Sequence, residues 1–190
     1  MSFFNWPVEK DNLVTHEIEA RHRAMLGMLQ TFGRAFPKIY YKLLWESRSI
    51  NAQAWCFGDQ RFVWVYGGLA RHPSMTEAGL SLVLAHETGH HLGGEPRDPS
   101  MPWLTWQGQA DFWAASIGMP IVWGTRAQSL TLRGADEIAA IHSCFVNEMV
   151  PCDGPDDLSP ALRIEIFRAG ALGGQMPASA REAFRLLTVS

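Results

Sequence analysis

No apolar run in this 190-residue chain approaches the roughly 18 residues that a membrane-spanning helix needs, so the sequence predicts no span. Charge of one sign is also missing. The net charge is −3 and the basic residues gather only in short pieces such as "RHR", which leaves no electrostatic footprint for nucleic acid. Cysteine is scarce, with three residues and no CxxC pair, and this speaks against a cysteine-ligated zinc site. Cys144 and Cys152, in "CFVNEMVPC", could close a small disulfide loop in an oxidising compartment, while Cys56 in "INAQAWCF" has the setting of a buried core thiol. The N-terminus "MSFFNWPVEKD" lacks both a basic stretch and a long apolar one. It therefore reads as cytosolic as written, or as a mature form whose signal has been cut away.

What is present is ordinary globular composition, 47% hydrophobic and 18% charged, at a length that predicts one domain over residues 1–190. Leu13, Ile18, Met25, Leu26, Leu29 and Phe32 recur at helical spacing and predict a helix over 11–36. "INAQAWCF" and "RFVWVYGG" read as strands joined by a hairpin turn at "GDQ" (58–60), with Gly67 and Gly68 ending the second strand. A helix from Thr76 to Leu92 follows, capped by Ser74 or Thr76 and closed by Gly93 and Gly94. It is apolar nearly all round, which predicts burial. The three prolines of "EPRDPSMPW" predict an irregular loop, a second buried helix covers Leu104 to Ile117, and further helical patterns cover 135–149, 159–171 and 178–188. The fold class that results is α+β, with a small antiparallel sheet.

The chemistry lies in "LVLAHETGHHLGG", which spells HExxH across His86, Glu87 and His90. On a helix, residues four apart share a face, so both imidazoles can meet one metal ion. Glu87, rotated by about 100°, projects beside that ion, where it can take a proton from water and return it to a leaving amine. Zinc suits this donor set, one ion per chain, and would polarise a scissile carbonyl and lower the pKa of water towards about 7. A charged Glu and two imidazoles inside an apolar helix are costly to bury unless something pairs with them, which argues against a merely structural trio. His91 points to another face.

Zinc wants a third protein ligand, and the motif does not contain it. Glu95 lies five residues after His90. The string HExxHxxG matches the metzincin pattern as far as Gly93, but that family's third histidine would fall on Pro96, and "NEMVP" (147–151) is only a faint Met-turn. "WQGQADFWAA" is the better source. Gln107, Ala110, Asp111 and Ala114 form one helical stripe whose small alanines permit close packing and whose two oxygen-bearing side chains then face whatever the alanines touch. Residues alone leave Gln107 and Asp111 both open.

HExxH followed by an E-x-x-A-D-x-x-A helix resembles the gluzincin metallopeptidases, including the CAAX-protease-like group. "YGGLARHP", "LVLAHETGHHLGG" and "QGQADFWA" are still more similar to a set of bacterial metallopeptidase-like proteins with an EGQADY pattern. The similarity runs from about Asn51 to Gly170 and includes "SPALRIEIFRAGAL". It implies a zincin-like fold that acts on peptides or proteins. His86 and His90 would be ligands and Glu87 the base, with the third ligand at position 107, Asp111 orienting a histidine from behind, and Arg163 supporting the site. This sequence departs from the family at that third position, where Gln107 stands in place of Glu. An amide oxygen can bind zinc but carries no charge, so the loaded site would hold about +2 rather than about +1, closer to a three-histidine site whose water still ionises near pH 7. Asp111 is the runner-up ligand. In related enzymes an edge strand before the motif helix binds substrate by strand addition, a role open to "RFVWVYGG", and a downstream His or Tyr stabilises the oxyanion, a role open to His142. The rival function is a non-catalytic zinc domain that binds a peptide or protein partner.

Overall fold

The computed structural model describes residues 15–145 and 158–189. Helix α1 (Thr15–Ala35) buries Met25, Met28, Leu29 and Phe32 along one stripe, as their spacing requires. The chain then turns into β1 (Ile39–Leu44), a strand that the sequence reading did not anticipate. The expected hairpin follows as β2 (Ala52–Phe57) and β3 (Gln60–Tyr66), turning over Gly58 at φ 56.

The sheet order is β1-β3-β2, with β3 antiparallel to β2 and parallel to β1. The sheet is therefore mixed rather than antiparallel, because the hairpin returns β3 into the gap between the two earlier strands. Alternation sends Ile39, Ala52, Ala54, Val63 and Val65 into the core. The opposite face carries Tyr40, Trp55, Phe62 and Trp64, with Trp55 stacked on Phe62 at 4.4 Å.

Gly67 and Gly68 end β3 after Tyr66, as expected. They open a short helix, α2 (Gly67–Arg71), and are small because the 45–48 backbone passes over them. A Cβ on Gly67 would lie 1.9 Å from the Trp45 carbonyl oxygen.

Helix α3 (Glu77–Leu92) is the spine, buried from Ala78 to His91. The Thr76 hydroxyl accepts from the Ala78 amide at 3.2 Å. From α6 (Ala127–Phe145), Glu137 accepts from the Thr76 hydroxyl at 2.6 Å and from the Thr76 and Gly79 amides at 2.8 and 2.9 Å, placing a carboxylate at the positive helix end. After α3 the proline-rich stretch is more ordered than its composition suggested. Asp98 accepts from the Ser100 and Met101 amides, and Arg97 bridges to Thr105.

The second buried helix starts later than predicted. Thr105 and Trp106 give their amides to the His90 and Pro96 carbonyls, so α4 (Gln107–Trp113) begins only at Gln107. It continues through a wide turn over Ala114–Gly118 into α5 (Met119–Trp123), where Pro120 has no N–H to offer the preceding turn. Beyond α6, which starts eight residues before its predicted limit, come α7 (Pro160–Ala171), capped by Ser159, and α8 (Ala178–Val189).

Candidate metal centre

Three buried groups from α3 converge. The nitrogen and oxygen atoms of His86, Glu87 and His90 that could bind a metal lie within 4.8 Å of one another, and all three residues are 0% exposed. The two imidazole rings meet edge to face at 4.5 Å. Each is fixed through Nδ1: His86 donates to Asp111 Oδ1 at 2.6 Å, and His90 donates to the Thr105 carbonyl at 2.8 Å. That assignment turns the Nε2 lone pair of each ring towards a shared space.

Asp111, on α4, is itself gripped. Arg163 from α7 forks onto it, Nε to Oδ2 and Nη2 to Oδ1, both at 2.8 Å. Burial works to raise the Asp111 pKa, but the Arg163 guanidinium and His86 outweigh it and hold the carboxyl below its usual range. Close approach of the two helices makes the arrangement possible. Gly89 has no Cβ, and one built there would stand 2.8 Å from the Ala110 carbonyl oxygen.

Burial governs the protonation of the rest. It lowers His86, against the pull of Asp111, and takes His90 well below the ordinary histidine value. It pushes Glu87 up to about 8, with the Ala54 backbone amide a minor opposing influence. Among the described residues, neither Glu87 oxygen nor His90 Nε2 has a hydrogen bond of good geometry, although all three atoms are buried. Polar atoms buried without partners cost about 1–3 kcal/mol each. A divalent cation in the shared space would satisfy them together, so the donor set fits zinc.

Gln107 sits in the first turn of α4, only 8% exposed, and its Oε1 is buried with no hydrogen bond. Its chain neighbours bracket the centre, since Thr105 holds His90 and Asp111 holds His86. His142, in the last turn of α6, is also buried. Burial, and then the nearby Arg163 charge, lowers it to about 4. Glu95 is not brought in; it is exposed and faces Arg97 at 3.5 Å. His91 turns away to the sheet, Nε2 donating to the Phe62 carbonyl at 3.0 Å, and it stacks on Trp103.

"RFVWVYGG" cannot offer a free edge, because β3 is paired on both sides. The strand whose backbone lies towards Glu87 is β2, at the sheet edge. The Thr105 carbonyl escaped the sequence reading because a main-chain acceptor has no residue signature. The Cys144–Cys152 pairing and the "NEMVP" segment lie outside the described residues.

Searches of curated proteins and of solved structures return no match. The family model of peptidase family M48 matches residues 15–119, a span that holds both the HETGH helix and the QGQAD stretch. With more than half its length matched and a buried His-Glu-His cluster on its central helix, the chain belongs to peptidase family M48, a family of zinc metallopeptidases.

Proposed function

We propose that this chain hydrolyses peptide bonds, with Glu87 as general base and a zinc ion held by His86, His90 and Gln107. Bound there, zinc would act as a Lewis acid on the scissile carbonyl and bring the pKa of water towards about 7. Glu87 takes the proton of the attacking water and passes it to the departing amine. Asp111 and the Thr105 carbonyl keep both imidazoles in one tautomer and one orientation, and Arg163 keeps Asp111 charged. Asp111 is the poorer candidate ligand, because both its oxygens are already committed to His86 and Arg163. His142, neutral at physiological pH, is the candidate hydrogen-bond donor to the oxyanion. An extended peptide laid along β2 would present its backbone beside Glu87.

The observation that carries this reading is the buried general base itself: two unpaired carboxylate oxygens set beside two histidines whose Nδ1 atoms are already fixed. A zinc site of purely structural kind has no use for such a group. The test compares the wild type with Glu87→Gln on unstructured polypeptides, measuring zinc content alongside. Cleavage lost with zinc retained supports the proposal. The uncharged amide at Gln107 favours the alternative, a zinc domain that binds peptides without cutting them, and equal behaviour of the two proteins would select it.

A further inference from the structure

We propose that the Gln107 carboxamide is hydrolysed by its own site, so that a freshly folded chain converts residue 107 from amide to carboxylate. This rests on the placement of Gln107 in the proposed centre and adds a covalent maturation step to it. A side-chain carboxamide carries the same carbon–nitrogen bond as a peptide, and the machinery that cleaves one is competent for the other wherever the fold holds it in reach. On the placement proposed for Gln107, the chain carries one such amide beside that machinery in every molecule. Gln107 follows Thr105, which is bonded to His90, and lies one helical turn before Asp111, which is bonded to His86. The residue is only 8% exposed, and its buried carbonyl oxygen has no donor among the described residues. A bound peptide must diffuse in and be oriented, whereas this amide has that entropy already removed by folding.

The step balances with water alone. The oxygen of water bonds to Cδ while Glu87 takes one of its protons. The Cδ–Nε2 bond then breaks, and the proton passes from Glu87 to the departing nitrogen. Ammonia leaves, collects the remaining acid proton as ammonium, and a carboxylate stays behind. No oxidant or reductant enters. The event occurs once per chain and replaces a neutral oxygen with a charged one in the place that holds the cation. Attack by the Gly108 backbone nitrogen would reach the same product without Glu87 or metal, so the experiment must separate the two routes.

The full-length protein, prepared metal-free, is incubated with Zn2+ at neutral pH. The peptide that contains residue 107 is followed by mass spectrometry, with bound zinc measured on the same samples. The expected result is a mass shift from amide to acid that requires zinc, stops on chelation, and slows about 100-fold or more in Glu87→Ala, the scale of a lost general base. Conversion indifferent to both zinc and Glu87 overturns the proposal in favour of the backbone route. A zinc-loaded protein that cleaves peptides with residue 107 still an amide overturns it too, and leaves the proposed function standing. Failure to retain zinc at all overturns both.

Discussion

Gln107 brings an oxygen without charge to a place where a cation must be held, and that mismatch sets the first prediction. Measured against a chain whose residue 107 is still an amide, Gln107→Glu changes charge and almost nothing in shape, so it should tighten zinc by about 1–3 kcal/mol, as charge-for-neutral exchanges of hydrogen-bonding groups do. Asp111→Asn should loosen zinc by only about 10–100-fold, since it removes the partner of His86 and not a ligand. Competition with a chromogenic chelator measures both. Near-total loss in Asp111→Asn beside a harmless Gln107→Ala would make the aspartate the ligand instead. At this scale the sequence was most legible where chemistry needs fixed spacing: His86, Glu87 and His90 announce themselves because one helical turn dictates their separation. Asp111 showed itself on the stripe with Gln107, but its hold on His86 and the role of Arg163 were visible only by resemblance, because the Asp111–Arg163 pairing joins α4 to α7 across a distance that no local pattern encodes.

Between elements, the decisive contact is α3 against α4 at Gly89. Alanine favours a helix over glycine by up to about 1 kcal/mol, so propensity alone predicts that Gly89→Ala stabilises. Sterics say the reverse. The new methyl would meet the Ala110 carbonyl oxygen at 2.8 Å and its Cα at 3.1 Å, both backbone atoms that cannot rotate aside. We expect a loss of about 1–3 kcal/mol, together with weaker zinc retention as Asp111 is carried away from His86. Gly27→Ala on α1, where nothing lies within 4 Å, is the control and should gain up to about 1 kcal/mol. Urea unfolding of the two variants decides the matter, and a Gly89→Ala protein as stable as Gly27→Ala would refute the contact. Helix positions followed from periodicity, but β1 did not: "IYYKLL" alternates weakly and is short, and its parallel place beside β3 is settled by a partner more than fifteen residues away. The late start of α4 was equally hidden, because the His90 and Pro96 carbonyls claim the Thr105 and Trp106 amides.

For the whole molecule, the pattern of buried titratable groups predicts how stability varies with pH in the metal-free state. Burial holds His91 and His142 at about 4 against an ordinary 6.5, and lowers His86 and His90 as well. The unfolded chain takes up these protons below about pH 6.5 while the fold refuses them, so that stability is full above 6.5 and is lost as pH falls towards 4. Glu87 has the opposite sign: its folded value of about 8 exceeds the ordinary 4.5, so its contribution is lost as pH rises between them. Four histidines outweigh one carboxyl on the acid side, and the carboxyl acts alone above. The urea midpoint of chelated protein should therefore peak close to neutrality, fall clearly by pH 5 and decline gently towards pH 8. A midpoint higher at pH 5 than at pH 7 would contradict the assignment. The enclosure that shifts these groups also sets a clock. Because His86, Glu87 and His90 have no exposed surface, a chelator, like a substrate, gains the ion only through an opening of the protein. Extraction must wait for the protein to open, and its rate should level off as chelator is raised, the plateau reading the opening rate directly.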